Sequence, residues 1–348
     1  MQHQRPAQGR GGALIRGNNA NLLVGEHFIR DIPLTQLELP LAFNQRQGQW
    51  RLASQGARIS AKDLNSRISA TLNLGEQPQL QLFAEVDLAN AGSAPSYYPL
   101  QAMPAEVSDY LSQSLLGGSV QGAQILWHGP LSQFPFTGHD GHFSASVPLR
   151  GATLRFDEGW PALTNLDLDL LFEDDDLWMS AGQGQIGANS VQQLKASIAP
   201  LDGTAPLHID SQIKGSGSAI SKVFNQSPLA DSLGATLNQL PLSGTVNGQL
   251  QLEIPLYADA EVKASGEARF AGNNLKILPL GLELGKIHGT LAFSNSQLKA
   301  RKLQARYRGQ QLTLNLDGHE QGEDYQLALD WRGRGPLAEL AELKGSDG

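Results

Sequence analysis

Strict alternation of apolar and polar residues constrains this chain more than any other feature. Leu80, Leu82, Ala84, Val86 and Leu88 fall on one side of an extended segment, while Gln81, Glu85 and Asp87 fall on the other. The pattern returns at Leu166, Leu168 and Leu170 against Asp167 and Asp169, and again at Leu250, Leu252 and Ile254. It returns once more at Leu312, Leu314 and Leu316 against Thr313, Asn315 and Asp317. A period of two sends successive side chains to opposite faces, so each segment is a strand with one apolar and one wet face. That is the mark of antiparallel sheet rather than of a doubly covered parallel one. Leaving aside the small Ala84, these apolar residues are the candidate lining of a shared apolar face.

The strands belong to a repeat. LELPLAFNQRQGQWRLAS (37–54), LDLDLLFEDDDLWMSA (166–181) and IHGTLAFSNSQLKARK (287–302) share one design, a strand ending in phenylalanine, a polar turn and a second strand. Phe43, Phe172 and Phe293 lie roughly 120–130 residues apart. Upstream, GSVQGAQILWHGPL (118–131) parallels SGTVNGQLQLEIPL (243–256), aligning Val120 with Val246 and Gly122 with Gly248. A helical stretch precedes each. In the first, Val107, Tyr110, Leu111 and Leu115 fall at helical spacing between Pro104 and Gly117, the expected boundary residues. The second, 219–237, is interrupted by Pro228 and reads as two short helices. Three divisions follow: an incomplete N-terminal β repeat over 1–103, then a helix plus β-rich repeat over 104–216 and another over 217–348. The period far exceeds the roughly 20–50 residues of ordinary solenoids.

Two helical stretches cannot roof a sheet of so many strands. The sheet must fold onto itself as a sandwich or barrel, or bend into a trough. Fold statistics favour the closed sandwich. An open trough would leave an apolar area beyond the few hundred Å² usual on monomers, and would demand an apolar ligand or partner.

Composition narrows the function. The net charge of -8 disfavours a nucleic-acid partner, which needs a basic face. With no cysteine there is no disulfide, thiolate nucleophile or Cys-type zinc site. The N-terminus lacks the apolar core of a signal peptide, and no stretch approaches the ~20 apolar residues of a membrane span. The chain reads as soluble, or as an internal piece of something larger. Missing aromatic girdles and frequent prolines argue against a transmembrane barrel.

Each chemical suspect has a plainer reading. Glu173, Asp174, Asp175 and Asp176 sit where the sister hairpins carry NQRQGQ and SNSQ, so they read as a turn. GQGQIG (182–187) matches a dinucleotide fingerprint, but ANSVQQLKASIAPL after it alternates like a strand instead of opening a helix. HDGH (139–142) reads as a turn, PLSQFPF (130–136) with Trp127 as a corner of packed aromatics, and GSGS (215–218) as a flexible connection. Helix 104–116 carries Glu106 and Asp109 but no Lys or Arg, so it caps a sheet end rather than anchoring to a membrane. No catalytic constellation, metal site or cofactor site remains.

YYPLQAMPAEVSDYLSQSLLGGSVQGAQILWHGPLSQFPF (97–136), GWPALTNLDLDLLFEDDDLWMSA (159–181) and VFNQSPLADSL (223–233) resemble the YhdP family, AsmA-like envelope proteins of Gram-negative bacteria. The resemblance runs over residues 15–335, and its motifs are specific in combination. It implies a mainly β fold: a long, curled antiparallel sheet with a one-sided apolar groove, built from tandem β-rich repeats with short capping helices. It further implies a periplasmic, inner-membrane-anchored lipid-transport protein in which phospholipids pass between inner and outer membranes. Acyl chains would move passively along the apolar face, with no enzyme chemistry and no cofactor. The family exceeds this chain in length and begins with a transmembrane helix, so this chain matches an interior segment. The family supplies no set of binding residues, and the groove candidates come from alternation alone. The competing expectation is a closed β-repeat scaffold or adhesin-like module without lipid.

Overall fold

The structure, a computed structural model, describes residues 9–23, 31–46, 48–97, 105–157, 159–256, 260–321 and 324–333. Among these residues, eighteen strands form one antiparallel sheet that does not close into a barrel. Residues 1–155, 164–181 and 197–206 make one compact unit; residues 156–163, 182–196 and 207–348 make another. The first holds β1 (Gly9–Leu22), β2 (Ile32–Arg46), β3 (Gln49–Ala61), β4 (Leu64–Leu74), β5 (Gln79–Leu88), β6 (Leu115–Pro130) and β7 (His142–Leu154). Each pairs with the next. The chain continues through β8 (Leu163–Glu173) and β9 (Asp176–Ile186), which lie mostly in the first unit, and β10 (Asn189–Ile198), which with the end of β9 lies mostly in the second.

The second unit holds β11 (Leu207–Ser216), β12 (Leu242–Ser243), β13 (Thr245–Ile254) and β14 (Lys263–Ile277). After them run β15 (Leu282–Ser294), β16 (Gln297–Tyr307), β17 (Gln310–Gln321) and β18 (Asp324–Gly333). β11 pairs with β13, β12 with β14, and β13 to β18 pair in succession. The repeated hairpins are real: Phe43 faces Leu52 across β2–β3, and Phe293 faces Leu298 across β15–β16.

Helix α1 (Ala105–Ser114) stands before β6, while Pro104 lies outside the described residues. Leu115, read from spacing as helical, is the first residue of β6, where its Cα pairs with Leu154. Helix α2 (Gly217–Asn225), a π-type turn at Ala230–Gly234 and α3 (Ala235–Gln239) stand before β12. Pro228 ends α2's path because it has no N–H to give. The GSGS stretch is not a loose connection. Gly215 and Ser216 complete β11, and the Ser216 hydroxyl accepts the Ala219 N–H as the N-cap of α2. Gly217 is buried where a Cβ would strike the Leu242 carbonyl oxygen.

Irregular register bends these strands. On β6, Val86 and Leu88 of β5 face Ala123 and Val120, leaving Gly122 in a bulge at φ 70°. Its N–H is taken by Asp87 Oδ1 at 2.7 Å. The same device recurs: Gly56 N–H to Ser69 Oγ, Gly151 N–H to Asp167 Oδ1, Lys286 N–H to Asn274 Oδ1 and Lys302 N–H to Asn315 Oδ1. Each of these five bulged residues has positive φ, and each acceptor sits on the wet face of the adjacent strand. Bulges kink a strand and increase its twist, so a sheet bulged on pair after pair curls instead of lying flat.

Within the second unit, the apolar faces of β13 to β17 pack into a continuous core containing Ile287, Leu303, Ala305, Leu312, Leu314 and Leu316. In the first unit a smaller cluster gathers Ile32, Leu34 and Ala61.

Candidate functional site: an apolar sheet face and a roofed cavity

The cross-strand register turns sequence alternation into rows. Ala70, Leu82, Trp127 and Phe143 lie opposite one another across β4 to β7. So do Ile68, Ala84, Ile125 and Ala145 in the neighbouring row. Adjacent strands are about 4.8 Å apart, so each row is a continuous apolar band. Leu80, Leu82 and Val86 are half-buried, with Leu88 fully buried at the strand's end. One end of the face is closed by an aromatic cluster: the Trp127 ring stacks on Phe134 at 4.9 Å and meets Phe136 edge-on at 5.2 Å.

The other candidates sit deeper. Leu166 and Leu168 have no exposed surface, and Leu170 is half-buried. Leu312, Leu314 and Leu316 are all buried in the core of the second unit beside half-buried Leu327, Leu329 and Trp331. Leu250, Leu252 and Ile254 are buried on β13.

Leu250 also reaches a cavity that alternation did not reveal. Its volume is 570 Å³, its floor is the apolar face of β13 to β16, and its roof is the helical segment from α2 to α3. Roof and floor meet at Phe224 and Phe293, whose rings stand 6.5 Å apart at 78°. The roof is anchored on both sides. Buried Asn189 donates from Nδ2 to the carbonyls of Ile186 and Ala219, and the Gly217 N–H donates to Gly244. Asn225 and Asn238 exchange side-chain hydrogen bonds of 2.9 and 3.1 Å, tying α2 to α3. The sequence signal was there: an amphipathic segment with Ile220, Phe224, Leu233 and Leu237 on one side must cover something apolar.

The suspects of the sequence lie elsewhere and form turns. Asp174, at φ 51°, donates its N–H to the Phe143 carbonyl and accepts the Phe143 N–H at Oδ1, so it is a corner. Burial, then the charges of Asp175, Asp174 and Glu173, hold the Asp176 carboxyl above its ordinary pKa. His142 Nδ1 is 3.5 Å from Asp174. GQGQIG completes β9 and turns into β10 with no helix opening there. Among the described residues no three His, Cys, Asp or Glu side chains gather to hold a metal ion. Among them, too, no helix is long and apolar enough to cross a membrane.

Comparison with known proteins is consistent with this geometry. The chain is 34% identical over 314 residues to the intermembrane phospholipid transporter YhdP of Escherichia coli (strain K12). That alignment covers 88% of this chain and 25% of the relative, so the chain spans about a quarter of that protein's length. No solved structure matches it. The family model described as YhdP protein matches residues 6–346, and with a match over nearly its whole length the chain belongs to the YhdP family.

Proposed function

We propose that this chain is a groove segment through which phospholipids travel between the inner and outer membranes, in the periplasm, with acyl chains lying on the apolar sheet face. The observation that carries this reading is the set of unbroken apolar rows across β4 to β7, with Leu80, Leu82 and Val86 only half-buried. An apolar face of that extent needs a partner. Acyl chains suit it because burial of each CH₂ contributes about 0.8 kcal/mol without any directional contact. No bond is made or broken in such passage, so the reading involves neither enzyme chemistry nor a cofactor. Head groups stay at the mouth of the groove, and the two membranes are reached through the rest of the full-length protein.

The test is photo-crosslinking in cells with the probe at Leu82 or at Gln81, one residue away on the opposite face. Capture of phospholipid by the Leu82 probe alone supports passage along the apolar face. Equal capture at both positions, or none at Leu82, overturns it, and the second outcome leaves a β scaffold without lipid.

A further inference from the structure

We propose that the roofed cavity of the second unit is a holding site for a single acyl chain. This deepens the lipid-carrying reading and rests on it.

Three observations support an acyl chain as the occupant. First, the floor is hollowed by small residues. Gly248 lies beside Ala268 on the facing strands β13 and β14, and both line the cavity with little side-chain bulk, while the Phe293 ring covers the neighbouring Gly266. Second, the roof is held off that floor. The Phe224–Phe293 contact props it, the Asn189 and Gly217 hydrogen bonds fix its first turn, and the Lys276 N–H bound to the Pro241 carbonyl holds the chain just past α3. Collapse of the roof onto the hollow is therefore opposed by the same contacts that place it, and an apolar hollow left unfilled is destabilising.

Third, polarity is arranged for an amphiphile. The side chains of Ile220, Phe224 and Leu237 point the apolar side of the roof at the cavity, while Lys222, Asn225 and Asn238 are exposed around its edge. The 570 Å³ volume fits one chain. A methylene fills about the ~30 Å³ of a water molecule, so a chain of about 16–18 carbons occupies roughly 500 Å³. A second chain would not fit beside it. The polar head then rests at the rim, where Lys222 and Glu267 are the charged residues beside the cavity.

The experiment uses the full-length protein in cell membranes, supplied with phosphatidylethanolamine whose palmitoyl chain carries a diazirine and an alkyne. After irradiation, adducts are mapped to peptides. Adducts are expected both on β4 to β6 and on the cavity peptides of β13, β14 and α3. Filling the cavity from the floor with Ala268→Phe, or separately from the roof with Leu237→Trp, should lower cavity adducts at least tenfold and leave those on β4 to β6 unchanged. Thermal unfolding midpoints equal to or above the parent's show that the variants fold. Should one variant unfold, the other decides. Adducts on β4 to β6 with none in the cavity, or cavity adducts indifferent to both fillings, overturn the holding site while lipid carriage stands. No adduct on either face overturns both.

Discussion

Asp87 on β5 holds the backbone N–H of Gly122 on β6 through Oδ1 at 2.7 Å, and so pins a bulge at the point where the two strands lose register. Four other bulges are pinned the same way from the wet face. The outward polar residues of this sheet therefore set its curvature as well as its solubility. Asp87→Ala leaves that N–H without its partner and should destabilise the fold by about 1 kcal/mol. Asp87→Asn, which keeps the Oδ1 acceptor, should restore most of it. Urea titration of the three proteins measures both changes.

Gly122 itself sits at φ 70°, where a side chain is strained. Gly122→Val should cost about 1–2 kcal/mol, although nothing lies within 4 Å of its added Cβ. A neutral result in the same titration would mean that the bulge is not held.

The apolar candidates divide by depth. Leu314 is 2% exposed within a packed cluster, so Leu314→Ala should cost about 2–5 kcal/mol. Leu82 is half-buried on the open rows, and Leu82→Ala should cost roughly 1 kcal/mol or less. Leu82→Asp should instead reduce phospholipid movement between the membranes while the protein still accumulates in cells. Lipid transfer assays and protein levels, read together, separate the two roles.

Asn189 anchors the roof over the cavity through the Ala219 carbonyl. Asn189→Ala removes both of its donated bonds and leaves buried acceptors, at a cost of about 1–3 kcal/mol. Hydrogen exchange should accelerate roughly tenfold or more through residues 217–225, with β14 to β17 unchanged. Uniform acceleration would show that the roof unfolds only with the sheet.

Asp176 provides a test in pH. Its folded-state pKa is raised, chiefly by burial and then by its acidic neighbours, so the folded chain binds that proton more readily than the unfolded one. Its ionisation opposes folding at neutral pH. That penalty is relieved as pH falls through the raised pKa and is gone below the ordinary carboxylate value. Asp176→Asn should be the more stable protein at pH 7, with the two stability curves converging in acid. Curves that separate in acid instead would reverse the sign.

Alternation by itself determined which face of each strand is apolar, since period two is a local property of an extended chain. Every candidate from Leu80 to Leu316 is buried or half-buried, and Gln81, Glu85 and Asp87 lie exposed on the other side. Helical spacing likewise placed short helices before β6 and before β12, although Leu115 went to the strand instead of the helix. The tertiary structure decided what depends on pairing. Gly122 and Gly248 align in the repeat, yet Gly122 is bulged at positive φ while Gly248 pairs in regular register with Ala268. A bulge exists only in relation to the strand beside it. Strand pairing likewise decided that the described strands join one sheet that does not close into a barrel. It also decided that Leu82 lies half-exposed while Leu314, with the same alternation, is sealed, because burial depends on what comes to lie across a face and not on the sequence that makes the face.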